Sequence, residues 1–220
     1  MKNKKILLYI IIIAILIGAV GYYIYNKEAK ITDNSAMVDK VIDPFENISI
    51  PEGKDEATRA VIQVKIDETK AMYLESPDIW ETWIAIGNLK TVLEDYEGAV
   101  EAFRQSIILQ NNNILGYRNI AEVYKNNLKD YKSAKEYYRL AIELSPGDPD
   151  LYISLALVEE FQLQDMASAE QTYLNGLATT NNNFDILNRL LLFYNRNNPE
   201  KSQEVQNKIN QLYPDSATTQ

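Results

Sequence analysis

The sequence predicts an all-α fold: helical hairpins stacked in a row as an α-solenoid, preceded by one N-terminal helix that crosses a membrane. Three observations carry this. Gly and Pro are sparse, 8 and 7 of 220 residues, while Ala, Leu, Glu, Lys and Gln, which favour helix, are well used. Turn signals recur at a fixed interval: "LQNNNILGY" from Asn111, "ELSPGDPD" at Pro146 and "TTNNNFDIL" from Asn181 stand 35 residues apart, and turns near Pro77 and Pro214 extend the series. Finally, residues 6–25 hold no charge.

That uncharged run is the first element. As a helix at 1.5 Å per residue it is about 30 Å long, the thickness of a bilayer core. Tyr22, Tyr23 and Tyr25 end it with rings suited to the membrane interface. Lys2, Lys4 and Lys5 precede it, and a mixed-charge flank (Lys27, Glu28, Lys30, Asp33) follows. The positive-inside rule then puts the N-terminus in the cytoplasm and the body outside it. The expected location is a bacterial cell membrane, with residues 1–25 as a single-pass anchor. The competing reading is a secretion signal cleaved near Ala19 and Gly21, which leaves a secreted protein. Residues 26–53 lack periodicity, contain Pro44, Pro51 and Gly53, and read as a linker with a reach of about 30 Å. Within it, residues 41–51 are apolar enough to lie along the body in extended form. Residues 54–76 form one capping helix with apolar Ala60, Val61, Val64, Ile66 and Met72.

The solenoid occupies residues 77–214. Aligned on their turns, units at about 80–113, 114–148 and 149–183 coincide position by position. Trp83 matches Tyr117 and Tyr152; Ile86 matches Ile120 and Leu155; Gly87 matches Ala121 and Ala156. A second set pairs Tyr96, Tyr131 and Met166; Ala99, Ala134 and Ala169; Phe103, Tyr138 and Tyr173; and Ser106, Ala141 and Gly176. Apolar residues at i, i+3, i+4 and i+7 make each unit two helices, and small residues mark where helices approach closely. Short turns, "LEDY" and "LKDY", put an acidic residue where the helix dipole favours it. A divergent pair at 184–214, with a polar second helix, closes the stack, and residues 215–220 read as a disordered tail.

This pattern resembles the tetratricopeptide repeat (TPR), whose signature is W-x2-L-G-x2-Y, A-x3-F and P over 34 residues. The first unit carries it at Trp83, Ile86, Gly87, Tyr96, Ala99 and Phe103, and the second at Tyr117, Ile120, Ala121, Tyr124, Tyr131, Ala134, Tyr138, Ala141 and Pro146. Departures are Lys90 and Glu159 at the expected tyrosine, Asn111 and Asn181 at the expected proline, and one extra residue before the second helix in units two and three. The resemblance implies a right-handed superhelix whose first helices line a concave, partner-binding groove. By register the groove positions are Glu81, Ile84, Asn88, Thr91, Leu115, Arg118, Glu122, Lys125, Asp150, Ile153, Leu157, Glu160, Asp185, Asn188, Leu192 and Asn195. Of the residues that clamp a peptide carboxylate in some members, only Asn88 is matched, so no such clamp is expected.

The helix "DLYISLALVEEFQLQ" is apolar almost all round. Two readings stay open: its second face packs on its neighbours, or Ile153, Leu157 and Phe161 expose a strip for a partner helix or extended peptide. Self-association into a homo-oligomer would use the same strip. Composition narrows the chemistry. With no Cys and no His, thiol nucleophiles, disulfides, usual zinc sites and imidazole-based triads are excluded. Beyond the anchor, residues 26–220 carry 19 basic and 31 acidic side chains, a net −12 that repels nucleic acid. Glu159-Glu160 and "PGDPD" match no complete calcium loop and read as solvated charge. A stack of hairpins is expected to lack a deep pocket, so the sequence points to no enzyme, no cofactor and no metal, but to a membrane-anchored protein-binding scaffold or assembly factor.

Overall fold

The computed structural model describes residues 43–46 and 48–214. The expected anchor at 6–25, most of the linker and the tail lie outside these residues. Among the described residues, no helix is long and apolar enough to cross a membrane. The chain divides into two units, Met1–Glu46 and Asn47–Gln220. In the first, residues 43–46 form a turn, with Glu46 N donating to Asp43 O at 3.0 Å and Phe45 N to Asp43 Oδ1 at 2.9 Å. Here the backbone turns where an extended path was expected, because the Asp43 side chain and carbonyl capture the two N–H groups after Pro44.

The second unit holds nine α-helices among its described residues and no strand: α1 (Glu56–Glu75), α2 (Trp80–Val92), α3 (Tyr96–Leu109), α4 (Ile114–Val123), α5 (Tyr131–Leu144), α6 (Pro149–Leu157), α7 (Met166–Thr179), α8 (Phe184–Asn197) and α9 (Pro199–Leu212). The helices α4 and α6 each continue into one π-helical turn, Tyr124–Leu128 and Val158–Gln162. Each helix packs on its sequence neighbours, and first helices also touch the next first helix, α2 against α4 and α6 against α8. The fold is therefore a row of hairpins.

Local sequence sets each boundary. Asp95, Asp130 and Asp165 cap the second helices by accepting from the N–H three residues on, at 3.0 to 3.1 Å. The residue before each cap, Glu94, Lys129 or Gln164, has positive φ of 55 to 63°. The left-handed residue ends one helix and the aspartate starts the next. Asn113 and Asn183 cap α4 and α8, while Asn181 and Asn182 both take positive φ. The second Asn triplet thus stops α7 and starts α8, using the tolerance of Asn for left-handed backbone. Pro149 and Pro199 stand in the first turn of α6 and α9, where no N–H is needed.

Most of the positions that coincide in sequence also coincide in burial, the exceptions being Tyr152, buried where Trp83 and Tyr117 are partly so, and exposed Met166. Ala99, Ala134 and Ala169 are fully buried, as are Phe103, Tyr138 and Tyr173 within 1%. Burying each of these rings contributes roughly 1.5 to 3 kcal/mol. They lie in three successive core clusters, one per junction between hairpins. Trp83 Nε1 donates to Pro77 O at 2.7 Å and Tyr152 Oη to Pro146 O at 3.1 Å, so in the first and third units this aromatic ties the first helix to the turn six residues before it.

In α1 the burial differs from the expected set. Ile62, Ile66 and Thr69 face the stack, whereas Val61, Val64 and Met72 are exposed. Both sets have helical spacing, and the Tyr73 ring, edge-on to Trp83 at 5.8 Å, goes with the first.

Candidate functional site

The groove positions come from the first helices, and the structure sorts them into two joined clusters and several separate residues. The first cluster lies at the end of α4. Glu122 accepts from Lys125 Nζ at 2.9 Å, from Asn126 Nδ2 at 2.7 Å and from the Tyr138 hydroxyl. Burial pushes the Glu122 carboxyl up, but these donors outweigh it and hold it below its ordinary value. Tyr138 is pushed up, by burial first and then by its hydrogen bond to the Glu122 carboxylate and that group's charge. Glu122 is thus a fully supplied carboxylate. Half-buried Arg118 contributes positive charge near Tyr138.

The second cluster joins α6, α7 and α8. Glu160 is buried, its side chain only 2% exposed, and Arg196 Nη2 lies 2.6 Å from its Oε1. The Arg196 guanidinium stands over the Phe161 ring at 5.3 Å. Phe161 itself is 52% exposed and Leu192 47% exposed. Ile153 and Leu157 are partly buried, and Ile153 packs on the core of the last two hairpins. The two readings of the strip therefore divide by residue: Ile153 serves the core and Phe161 faces solvent. Tyr173, beneath this cluster, is pushed up to about 12, mainly by burial and then by the Glu160 charge, against Arg189 and Arg196.

The remaining positions stand apart. Ile84 packs partly buried on the first core cluster, Asn88 and Asn195 are exposed, and Asn188 is half-buried. Thr91 returns its hydroxyl to Gly87 O at 2.9 Å within α2.

One expectation needs correction. Glu159 and Glu160 are not solvated charge, since Glu159 is fully buried. Its Oε1 lies 2.9 Å from Lys135 Nζ and 3.7 Å from Arg139 Nη2, and its Oε2 accepts from Thr172 Oγ1 at 2.6 Å. Buried carboxylates persist only with such partners. A shallow cleft of about 330 Å³, open to solvent, lies between α5, α6 and α7, lined by Arg139, Ile142, Tyr152, Leu155, Glu159 and Thr172 among others. It lies apart from the groove positions. Among the described residues, no group of three or more metal-ligating side chains is placed to hold an ion.

Sequence reasoning missed Arg104, Lys135, Arg139 and Arg196. The first and third carry a periodic signal, because Phe103-Arg104 and Tyr138-Arg139 stand 35 residues apart. Each arginine reaches the residue at the tyrosine position of the next hairpin: Arg104 bonds Tyr124 Oη at 3.4 Å, and Arg139 faces Glu159. Glu159 is thus an acid placed where the preceding hairpin already offers a cation.

Comparison with known proteins agrees with this layout. Residues 117–148 match the tetratricopeptide-repeat family model. The fold is that of tetratricopeptide-repeat proteins. A crystal structure of MamA shares 16% identity at a TM-score of 0.58, over 75% of this chain and 90% of that one. MamA from residue 41 onward, of Desulfovibrio magneticus RS-1, gives 16% and 0.54 over 75% and 97%. YrrB, a TPR protein with an unusual peptide-binding site, gives 16% and 0.51 over 66% and 75%. No curated protein matches the sequence.

Proposed function

We propose that this protein is a protein-binding module: its TPR body takes a partner peptide or helix along the first-helix groove, and residues 1–25 hold it to a membrane as a scaffold or assembly factor with the body on the extracytoplasmic side. The observation that carries the binding reading is the patch at the end of the groove. Phe161 and Leu192 expose large apolar side chains around an ion pair whose carboxylate is buried and whose arginine is half exposed, and exposed aromatic and aliphatic groups beside a desolvated charge are the usual makings of a binding hot spot. The same fold serves peptide binding in YrrB. The membrane reading rests on the uncharged run and the lysines before it.

Crosslinking of the full-length protein in its native membrane, followed by mass spectrometry, tests both parts. The expected result is a partner that is captured by the wild type and lost in the Leu157→Ala/Phe161→Ser double variant, with an unchanged melting temperature. A collapse of stability would show that the patch is core. Capture of only a second copy of the chain would favour self-association, and a mature N-terminus near Tyr22 would replace the anchor with a cleaved signal.

A further inference from the structure

Two carboxylates of the groove are held in opposite ways. Glu122 receives three donors. Glu160, one hairpin later, receives one: Arg196 meets Oε1 through a single nitrogen, and the buried Oε2 has no hydrogen-bond partner. An arginine facing a carboxylate ordinarily uses its fork to satisfy both oxygens. Here the guanidinium is drawn aside, standing over the Phe161 ring. A buried carboxylate oxygen left without a donor is costly, and the cost is relieved by any ligand that supplies one. Glu159 Oε1 also lacks a hydrogen bond, but it lies 2.9 Å from the Lys135 ammonium and lines the cleft on α5 and α7. Glu160 has no second cation of its own among the described residues.

We infer that Glu160 Oε2 is the receptor for a cationic side chain of the partner, and that the groove selects segments in which a lysine or arginine stands beside a large apolar residue. This deepens the groove-binding reading and rests on it. Oε2 has almost no accessible surface in the free protein, so the incoming ammonium or guanidinium reaches it through a side-chain rearrangement at the patch; it then donates to Oε2 while Arg196 keeps Oε1, and the apolar neighbour packs on Phe161 and Leu192. The wider field favours the same partner, since residues 26–220 carry a net −12 and attract cationic segments. Arg189 and Arg196, whose charges both reach Tyr173 beneath the patch, oppose it, the more directly Arg196. Nearly half exposed, Arg196 repels a second cation while fixing the carboxylate in place.

The test is a selection of displayed random twelve-residue peptides on full-length wild type, followed by binding of the consensus peptide and its Lys/Arg→Gln form to variants. The expected consensus holds a basic residue within four positions of Leu, Phe or Met. Glu160→Gln weakens the basic peptide at least tenfold and leaves the neutral form unchanged, whereas Arg196→Gln tightens the basic peptide several-fold. Opposite signs are required: if both substitutions weaken the basic peptide equally, or neither does, Glu160 is a structural ion-pair partner and the inference is overturned. Peptides that bind without a basic residue, yet are lost on Leu157→Ala/Phe161→Ser, overturn it while leaving the groove reading intact. If no peptide is enriched, or binding survives the double groove variant, both readings fall. Circular dichroism of each variant confirms that the comparison is between folded chains.

Discussion

Gly87 marks where the two helices of the first hairpin approach closely, and replacing it with alanine is the sharpest test of how the helices pack. A Cβ at this position would stand 2.4, 2.5 and 2.7 Å from Cε1, Cδ1 and Cζ of the Phe103 ring, where 3.4 to 4 Å is ordinary contact. Three ring atoms about 1 Å too near place the substitution at the upper end of overpacking costs, about 3 kcal/mol. Alanine recovers about 1 kcal/mol of helix propensity over glycine. The expected net loss is about 2 kcal/mol. The ring cannot yield, because Phe103 is 1% exposed within a core cluster that also holds Ile120 and Val123. Urea unfolding followed by circular dichroism gives the total. Amide exchange locates it, and in a stack whose units touch only their neighbours the loss belongs to α2, α3 and α4. The Gly87→Ala/Phe103→Leu double variant should cost less than the sum of its singles, since leucine removes the offending ring edge. A neutral or stabilising Gly87→Ala would refute the reasoning, showing that small residues at this position reflect composition and not contact.

Lys135→Met should cost about 3 kcal/mol in urea unfolding, because it strips the fully buried Glu159 of its near cation and leaves Thr172 with Arg139 at 3.7 Å. Adding Glu159→Gln should recover part of that loss, and a neutral single variant would show that water reaches the carboxylate. Acid should unfold the stack through its caps. Hydroxyl and backbone N–H groups of Ser133 and Ser168 hold Asp130 and Asp165 below the usual carboxylate range. At Asp95 burial opposes the lowering, and Lys90 with the Gly98 N–H outweighs it. Carboxylates depressed in the folded state stabilise it fully above their unfolded value of about 4, and that contribution disappears as pH falls through the lowered values. The melting temperature should therefore be level above about pH 5 and fall below about pH 4. The Asp95→Asn/Asp130→Asn/Asp165→Asn variant keeps cap acceptors without titrating, so its acid limb should flatten; an unchanged limb would assign the acid sensitivity elsewhere.

Packing positions were legible in the sequence because they repeat. A contact made once per hairpin appears three times, so Ala99, Ala134 and Ala169 identify one another, and Asp95, Asp130 and Asp165 do likewise. What escaped was either unrepeated or facing the wrong way. Arg196 has no counterpart in the aligned units, so nothing in the period pairs it with Glu160. In α1, a helix with no aligned partner, two apolar stripes of equal spacing compete, and only the hairpin beside it decides that Ile62 and Ile66 go inward. Glu159 and Glu160 read as solvated because ionised side chains usually are. The cations that bury them lie 20 to 36 residues away, on other helices.

The extra residue in the second and third units has a structural home in the two π turns, Tyr124–Leu128 and Val158–Gln162. From Trp83 to its cap at Asp95 the chain counts twelve residues, and from Tyr117 to Asp130 or Tyr152 to Asp165 it counts thirteen. Each surplus is absorbed before the cap, so the second helices keep their register. Lys125, Glu160 and Phe161 all ride within those wider turns. A gain or loss of one residue there would turn a different side chain toward the groove while leaving the stack undisturbed, so the recognition surface can be re-dealt without redesigning the frame that carries it.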